Sequence, residues 1–282
     1  MRRAILHIHR RPSSRTGYLA TSGIASHANH FVQRKFMNSK LALVFGGSRG
    51  IGSACVDALA RDGFDIAFTY VSNSGQAGEV ARAVAQAYGK RVRCYAVDIC
   101  DVDAVKGLFA SMATEFGRSP DCVVVNAGIN VPPGPIGSFD PGAFRKLVEV
   151  NIVGAFNILR ESACRVANDG AIIALTTSSV RNVVAGVGPY AATKAAVESL
   201  IRSMAKELAP RNIRVNAVAP GPVDTDLFNS GKTEEAKRRS AAMSPFNRIG
   251  QPSEVAEVVS FLASPRASWI HGQIIQPNGG SI

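Results

Sequence analysis

A tyrosine and a lysine four residues apart are the side chains in this sequence best suited to moving a proton. Tyr190 and Lys194 stand in the run Tyr-Ala-Ala-Thr-Lys, and residues four apart share one face of a helix. A free phenol with a pKa of ~10 carries protons poorly at neutral pH, but a neighbouring ammonium favours the phenolate and lowers that pKa. We therefore predict that Tyr190 acts as a general acid and base beside Lys194. Alone, the motif is common and usually reflects a half-buried tyrosine with a snorkelling lysine.

A cluster of hydroxyl side chains precedes this pair at the end of an apolar run. Thr176-Thr177-Ser178-Ser179 follows the segment 171–175. A hydroxyl that donates to a carbonyl oxygen beside Tyr190 would polarise the carbonyl. Because consecutive strand residues face opposite ways, only one of Thr177 and Ser178 can point at the substrate. Both remain candidates from the sequence.

A glycine-rich turn links the first apolar run to the first helical stretch. Glycines 46, 50 and 52 in Gly-Gly-Ser-Arg-Gly-Ile-Gly let two backbone segments approach each other. Such a turn aims free N–H groups and the positive end of a helix at a pyrophosphate. The turn therefore predicts dinucleotide binding.

The end of the second apolar run indicates which dinucleotide binds. An NAD site usually has an acidic residue about 20 positions after the glycines, where it accepts from the ribose 2′-hydroxyl. Residues 69–74 hold no acid, whereas Ser72 and Asn73 offer neutral donors and Arg49 offers a cation for a 2′-phosphate. NADP(H) is therefore predicted over NAD(H).

Short apolar runs alternate with helical periodicity from residue 41 onward, which is the pattern of an α/β domain. Strands are predicted at 41–46, 65–71, 91–97, 121–126, 171–176, 212–218 and near 272–276. Helices are predicted at 50–62, 74–88, 101–116, 140–167, 189–209 and 252–263. Continuous apolar strands are typical of a parallel sheet covered by helices on both faces. We predict one doubly wound Rossmann-type domain over 39–282, with residues 220–252 as a substrate lid.

Together these motifs resemble the short-chain dehydrogenase/reductase superfamily over essentially all of residues 40–282. Besides the glycine turn and the Tyr-Lys pair, the resemblance rests on Asp98, Asn126-Ala127-Gly128, Asn151, Pro220-Gly221, Gly272-Gln273 and Gly279-Gly280. Within the superfamily the chain looks most like 3-oxoacyl-[acyl-carrier-protein] reductases, because of Arg49, the neutral second strand end and the stretch Arg248-x-Gly250-x-Pro252.

The resemblance implies a role for each matching residue. Tyr190 is the general acid and base, Lys194 binds the nicotinamide ribose and tunes Tyr190, and Asn151 holds a water of the proton relay. Asp98 contacts the adenine, unless it caps a helix near 101–103, and Thr225 lies near the carboxamide. The residues expected at the cofactor are Gly46, Ser48, Arg49, Gly50, Ile51, Gly52, Ser72, Asn73, Asp98, Ile99, Asn126, Ala127, Gly128, Tyr190, Lys194, Pro220, Gly221, Val223 and Thr225.

The sequence departs from the family pattern at three places. Phe45 stands where the family has Thr, and Val125 stands where it has the first Asn of Asn-Asn-Ala-Gly, so two hydrogen bonds that brace the backbone lose their side chains. The family's catalytic serine lies thirteen residues before the tyrosine, which is Thr177 here, whereas Ser178 lies twelve before it. Either hydroxyl can donate the bond, and we favour Ser178.

The positive charge of the chain is concentrated near its start. The 282 residues hold 32 Lys and Arg against 21 Asp and Glu, and eight of these basic residues but no acid fall in residues 1–40. The remainder is nearly balanced, which argues against a nucleic-acid partner. We expect residues 1–38 to be a poorly ordered extension, either an organellar transit segment or residues upstream of a start at Met37.

Two further classes of function are not expected. No apolar run reaches the ~18 to 20 residues of a bilayer-spanning helix, so no membrane partner is predicted. Five cysteines form no C-x-x-C pair and have no histidine at ligand spacing, so we predict no metal site and a reducing compartment. The cytoplasm is expected, with organellar import if residues 1–38 are a transit segment.

The expected reaction is hydride transfer between NADP(H) and a small-molecule carbonyl or secondary alcohol, a 3-oxoacyl thioester being one candidate. The alternatives are a sugar, steroid or small-ketone dehydrogenase of the same superfamily, or a nucleotide-binding homologue without catalysis. By resemblance, the helices at 140–167 and 189–209 pair subunits in a homodimer or homotetramer.

Overall fold

The computed structural model describes residues 39–281, so the expected extension at 1–38 lies outside the described residues. Within this range, seven parallel strands form one sheet in the order β3-β2-β1-β4-β5-β6-β7. They are β1 (Leu41–Phe45), β2 (Asp65–Tyr70), β3 (Val92–Ala96), β4 (Cys122–Val125), β5 (Ala171–Leu175), β6 (Arg214–Val218) and β7 (Ile274–Ile275). The predicted doubly wound fold is confirmed.

Nine α-helices connect the strands of the described range. They are α1 (Gly50–Arg61), α2 (Ser74–Tyr88), α3 (Val102–Phe116), α4 (Pro141–Val148), α5 (Ala155–Arg165), α6 (Gly188–Leu208), α7 (Asp226–Asn229), α8 (Glu234–Ala242) and α9 (Pro252–Ala263). No helix in residues 39–281 is long and apolar enough to cross a membrane.

The single helix predicted at 140–167 is wrong in one respect. A π-helical turn at Glu149–Gly154 separates α4 from α5. The turn places Gly154 against the loop that follows β3, where an added Cβ would lie 2.7 Å from the Ile99 side chain. Apolar spacing runs through this region without interruption, so the local widening of the helix leaves no periodic signal. Such π-turns occur often at functional sites.

The sheet is buried because its central strands are apolar on both faces. In β1, Leu41, Leu43 and Phe45 pack into one core layer, while Ala42 and Val44 pack into the other. This alternation follows from the two-residue period of a strand. Helices on both faces complete the two layers, as continuous apolar strands require.

The strand order creates a crevice at the carboxyl edge of the sheet. β1 pairs with β2 on one side and with β4 on the other, so the chain reverses its direction of winding there. Ligands of such sheets bind at this reversal. The segment predicted as a lid carries α7 and α8, and its two ends are joined by bonds from Asp224 N to Gly250 O and from Gly250 N to Pro222 O, each 2.9 Å.

Candidate active site

The glycine turn after β1 depends on the absence of side chains. Gly46 has a φ of +75°, a conformation that other residues rarely adopt. A Cβ added at Gly52 would lie 1.9 Å from Gly46 O and 2.6 Å from Asn126 Nδ2. The first turn of α1 can therefore pass directly over the end of β1. This places the N-terminus of α1 at the crevice, which suits an anionic ligand.

Two side chains from neighbouring strands brace the turn. Thr69 Oγ1 on β2 accepts a 3.0 Å hydrogen bond from Gly46 N. Asn126, after β4, donates from Nδ2 to Gly46 O at 2.9 Å and to Phe45 O at 3.3 Å. Thr69 thus supplies a side-chain bond to the turn. Thr69 was not among the predicted site residues, although a polar residue near the carboxyl end of a buried strand was a usable signal.

A cleft of about 540 Å³ opens along this edge of the sheet. That volume lies within the range of small-molecule sites, roughly 300–1,000 Å³. Fourteen of the predicted cofactor residues line it: Gly46, Ser48, Arg49, Gly50, Ile51, Gly52, Ser72, Asn73, Asp98, Ile99, Asn126, Ala127, Gly128 and Thr225. The glycine cradle, the helix N-terminus and the elongated lining fit a dinucleotide.

Other residues line the cleft without having been predicted to do so. They are Thr69, Tyr70, Val71, Gln76, Val97, Ile129, Val150, Asp226 and Leu227. Val71, Val97 and Ile129 lie next to a predicted residue that follows a strand, so the strand ends carried part of the signal. Val150 and Leu227 depend on the π-turn and on α7, which had no sequence signature.

The three residues predicted at the 2′-phosphate, Arg49, Ser72 and Asn73, all line the cleft. Arg49 precedes α1 and is exposed. Asn73 has a second task, because its Oδ1 accepts from Gln76 N at 3.0 Å and caps α2. Its amide nitrogen also approaches Gln76 Oε1 at 3.4 Å. The side-chain donors of Arg49 and Ser72 are therefore less engaged with other protein groups than that of Asn73.

Asp98 is not the cap of the following helix. Asp101 caps α3 by accepting 3.0 Å bonds from Asp103 N and Ala104 N. Asp98 instead accepts from Cys100 N at 2.9 Å and is exposed along the cleft. The alternative interpretation of Asp98 as a cap is therefore wrong, and its carboxylate faces a potential ligand.

Four predicted cofactor residues lie at the start of the segment that was predicted as a lid. Ser178 N donates to Pro220 O at 2.9 Å. A Cβ at Gly221 would lie 3.0 Å from Asn278 Cα, and Val223 forms an isolated bridge with Gly250. Thr225 caps α7, its Oγ1 accepting from Phe228 N at 3.1 Å. Pro220, Gly221 and Val223 are absent from the cleft lining.

The hydroxyl cluster after β5 divides into three different environments. Thr176 Oγ1 donates to Glu198 Oε1 at 3.1 Å, and Thr177 Oγ1 accepts from Ser179 N at 3.2 Å, which caps a short 3₁₀ turn at Ser178–Val180. Ser178 is buried, and no hydrogen bond of its hydroxyl is recorded within residues 39–281. Of the two candidates, Ser178 thus has the hydroxyl that is less engaged by the protein.

Lys194 and Asn151 converge on the glycine that ends the cleft. A Cβ added at Gly128 would lie 3.0 Å from Asn151 Oδ1 and 3.3 Å from Lys194 Nζ. Lys194 Nζ donates to Leu175 O at 3.1 Å. The cleft lining that reaches Gly128 therefore meets the helix face that carries Lys194 and, one turn earlier, Tyr190.

Asn151 joins three elements through its side chain. Its Oδ1 accepts from Ile129 N at 2.8 Å, while Nδ2 donates to Ile129 O at 2.9 Å and to Thr193 Oγ1 at 3.2 Å. The residue is 1% exposed. Both amide hydrogens are used by protein groups, so the predicted relay water cannot take one of them without displacing a partner.

The predicted lowering of the tyrosine pKa is wrong for the protein without ligand. Burial raises the pKa of Tyr190 to about 12, and burial lowers the pKa of Lys194 to about 8. Desolvation disfavours the charged form of each group, and it is the cause of both shifts. Near neutral pH, Tyr190 is therefore protonated, and the pKa of Lys194 lies only slightly above the pH. In this state Tyr190 carries the proton that carbonyl reduction requires, although the raised pKa makes the phenol a weaker acid than free tyrosine.

A parallel sheet with a glycine cradle at its reversal point and a Tyr-Lys helix face at the end of the cleft defines a dinucleotide-dependent oxidoreductase. A model of the family described as Enoyl-(Acyl carrier protein) reductase matches residues 46–281. The chain belongs to the short-chain dehydrogenase/reductase superfamily.

Similar proteins are found among plants and bacteria. The chain is 38% identical to an Arabidopsis thaliana protein named NADPH-dependent aldehyde reductase-like protein, chloroplastic, over 86% of this chain and 94% of that one. It is 36% identical to the Staphylococcus aureus 3-oxoacyl-[acyl-carrier-protein] reductase FabG, over 86% and 98%. A Burkholderia cenocepacia short-chain dehydrogenase solved in complex with NADP superposes with a TM-score of 0.79 at 32% identity, covering 86% and 97%. The predicted family and the predicted enzyme class are confirmed.

Proposed function

We propose that the chain is an NADPH-dependent reductase that reduces an uncharged aldehyde or ketone to an alcohol, and that also runs this reaction in reverse. The observation that carries the proposal is the meeting of Gly128, Asn151 and Lys194 at one end of the nucleotide-sized cleft. Tyr190 lies one helical turn before Lys194, which puts the proposed proton donor on the same face of α6. NADPH, when bound, supplies hydride from C4 of its nicotinamide.

The protein groups divide the remaining work. Tyr190 gives its proton to the carbonyl oxygen as the carbon is reduced. The Lys194 ammonium stabilises the phenolate that this step leaves behind. Ser178 donates a hydrogen bond to the same oxygen, with Thr177 as the alternative donor. Asn151 holds the loop at Ile129 against α6 through its side-chain amide.

The preference for NADPH rests on charge. Arg49 and Ser72 line the end of the cleft where residues 69–74 contribute no carboxylate. The nearest acid on β2, Asp65, is buried at the opposite end of the strand and paired with Arg118. A 2′-phosphate beside residues 69–74 would therefore meet the Arg49 guanidinium and no carboxylate from that strand end. Names of relatives that refer to NADPH support the same cofactor.

The substrate class rests on the two segments that flank Tyr190. Residues 129–139 and 182–193 contain no charged side chain. Ile136 and Val183, one in each segment, are 80% and 85% exposed. Ile136 also lies over the start of α6, where a Cβ added at Gly188 would meet its Cδ1 at 3.7 Å. Apolar, uncharged walls favour a neutral carbonyl compound with an apolar body.

The decisive experiment follows NADPH oxidation with a panel of apolar aldehydes, cyclic ketones, a 3-oxoacyl thioester, a ketose and an anionic keto acid. We expect turnover with the neutral apolar carbonyls and little with the ketose or keto acid. Tyr190→Phe should lower kcat by about 100- to 10,000-fold while NADPH still binds. Full activity of that variant, or no turnover by the wild type across the panel, would contradict the proposal. Tyr70→Phe, at the cleft wall, is the matched control.

We also propose that the protein works as a homodimer or homotetramer. Phe144, Val153 and Phe156, spread over α4, the π-turn and α5, are each at least a third exposed, which gives this helical face an apolar surface. Light scattering of the wild type and of Phe156→Glu tests the pairing. A wild-type monomer at micromolar concentration would exclude it.

The role of the N-terminal extension and the localisation of the protein are linked, so we propose them together. We propose that residues 39–282 form the working domain and that residues 1–38 are dispensable for catalysis. A fluorescent reporter fused to residues 1–38 should enter an organelle if they form a transit segment, and stay in the cytoplasm otherwise. A truncation starting at Met37 should keep full NADPH-dependent activity.

A further inference from the structure

The buried carboxylate of Glu198 occupies a position that the proposed reaction does not explain. Glu198 lies on α6, one turn beyond Lys194 and two turns beyond Tyr190, and is 1% exposed. A buried carboxylate needs partners for its charge and its lone pairs. Within residues 39–281, its hydrogen-bond and ion-pair partners come from the segment around Ser178 or from α6 itself.

Glu198 binds that segment on both sides of Ser178. After the serine, Arg181 donates from Nη1 to Oε1 at 3.0 Å and from Nη2 to Oε2 at 2.7 Å. Before it, Thr176 Oγ1 donates to Oε1 at 3.1 Å. Arg202, one turn further along α6, adds a weaker contact of 3.6 Å.

Ser178 itself is fixed through its backbone only. Its N–H donates to Pro220 O at 2.9 Å, and its carbonyl accepts from Arg181 N at 2.9 Å and from Asn182 N at 2.8 Å. The side-chain hydroxyl is left for another partner. The orientation of this hydroxyl relative to α6 therefore depends on how Thr176 and Arg181 are held.

Stability alone does not account for the buried ion pair between Glu198 and Arg181. A buried ion pair is often no more stabilising than apolar side chains of the same volume, because desolvation offsets the attraction. The bidentate contact with Arg181, however, fixes direction as well as distance. Since α6 also carries Tyr190 and Lys194, the contact fixes the orientation of the Ser178 turn relative to the helix that carries the proton donor.

We propose that Glu198 is a positioning residue that clamps the Ser178 turn to the catalytic face of α6 through Arg181 and Thr176. This inference rests on the proposed reductase function. Its loss should lower turnover while leaving the nucleotide-binding cleft intact, because none of the three residues lines that cleft.

The test is a double-mutant cycle between Glu198→Gln and Ser178→Ala. Glu198→Gln should lower kcat at least about tenfold, since small misplacements of reacting groups can cost as much as ~100-fold. The NADPH dissociation constant should stay within about twofold. In the Ser178→Ala background, the same substitution should have no further effect on kcat, because the group that it positions is already gone.

The matched control is Glu161→Gln on α5. Glu161 is also buried and paired with an arginine, Arg165, at 2.9 Å, and no assigned site residue is among its partners. It should change kcat by less than about twofold, as expected for a pair without a catalytic partner. Thr176→Val, which removes a single bond to the carboxylate, is the second variant if Glu198→Gln folds poorly. It should lower kcat severalfold in the wild type and not in Ser178→Ala.

The outcomes separate the two proposals. Equal losses of kcat in both backgrounds, or a Glu198→Gln variant that behaves like Glu161→Gln, would overturn the positioning role alone. A wild type that oxidises no NADPH with any carbonyl of the panel would overturn the reductase function, and the positioning role with it.

Discussion

The nucleotide cleft and the catalytic corner share one edge of the sheet but are built from different parts of the chain. The cleft relies on backbone, because Gly46 and Gly52 tolerate no side chain. The corner relies on side chains that are almost fully buried, such as Lys194 and Asn151. A site built from backbone is defined locally, by positions that carry no side chain. A side-chain site is defined by partners that lie far away in sequence.

This difference separates the expected effects of mutations. Changes in the cleft should act on nucleotide affinity, because they alter the space and charge around the ligand. Changes in the corner should act on turnover and its pH dependence, because they alter proton donation. A cleft mutation that changes kcat alone would break this division.

The largest effect is expected from Gly52→Ala. The added Cβ would lie 1.9 Å from Gly46 O, a backbone atom that cannot move without opening the turn. We expect a loss of roughly 3 kcal/mol of NADPH affinity or more, which is at least about 100-fold. Isothermal titration against NADPH measures it.

Gly78→Ala is the control for this substitution. Gly78 lies in α2, and a Cβ there would meet nothing within 4 Å. The change should leave NADPH affinity intact and raise the free energy of unfolding by about 0.5–1 kcal/mol. If Gly52→Ala binds NADPH as well as Gly78→Ala does, the cradle is not the binding element.

The next effect distinguishes the two candidate hydroxyls. Ser178→Ala should lower kcat by about 100-fold, the usual cost of removing one donor to a developing oxyanion. Thr177→Val should lower kcat by less than about threefold, and should cost about 1 kcal/mol of stability because Thr177 caps the 3₁₀ turn. Steady-state kinetics and urea denaturation measure the two quantities. The reverse ranking would assign catalysis to Thr177.

The sequence predicted the fold and the cleft well because their signals are local. The apolar run of β1, the glycines at 46 and 52 and the missing acid at 69–74 can each be read from a short window. All seven strands were predicted within two residues of their ends. Fourteen predicted residues line the cleft for the same reason.

The catalytic corner was less accessible from sequence because its contacts are long-range. The contact between Glu198 and Thr176 spans 22 residues, and that between Asn151 and Thr193 spans 42. The pKa of Tyr190 was predicted to fall, since the Tyr-Lys spacing shows a neighbouring charge but does not show burial. Desolvation depends on the packed surroundings, and it raised the pKa instead.

The pH dependence of turnover should report Lys194. Burial lowers its pKa to about 8, so the ammonium that stabilises the phenolate is lost as the pH rises through that value. Tyr190 keeps its proton throughout this range because its pKa is raised to about 12. For carbonyl reduction at saturating NADPH, kcat should fall about tenfold between pH 7 and pH 9. Lys206→Met, on the exposed face of α6, should show the same fall of kcat between pH 7 and pH 9. A pH-independent kcat of the wild type would contradict the role of Lys194.

The same burial makes Lys194 costly for stability. A lysine whose folded pKa lies below its unfolded value destabilises the fold fully below about pH 8, and this penalty disappears as the pH approaches 10.5. Lys194→Met should raise the free energy of unfolding at pH 7 by about 1–2 kcal/mol, after the lost bond to Leu175 O is counted. The gain should shrink at pH 10. A destabilised variant at pH 7 would show that the hydrogen bond outweighs desolvation.

The smallest effect is expected from Arg49→Ala, at the cleft end of the comparison. Arg49 is exposed, so water and salt screen its attraction for a 2′-phosphate, and such pairs contribute about 1 kcal/mol or less. The KM for NADPH should rise about fivefold and that for NADH should not change, with kcat retained. The rise should fade at high ionic strength, because screening removes the same interaction. Arg266→Ala, an exposed cation that does not line the cleft, should change neither constant. Equal increases in both KM values would mean that Arg49 supports the turn rather than reads the phosphate.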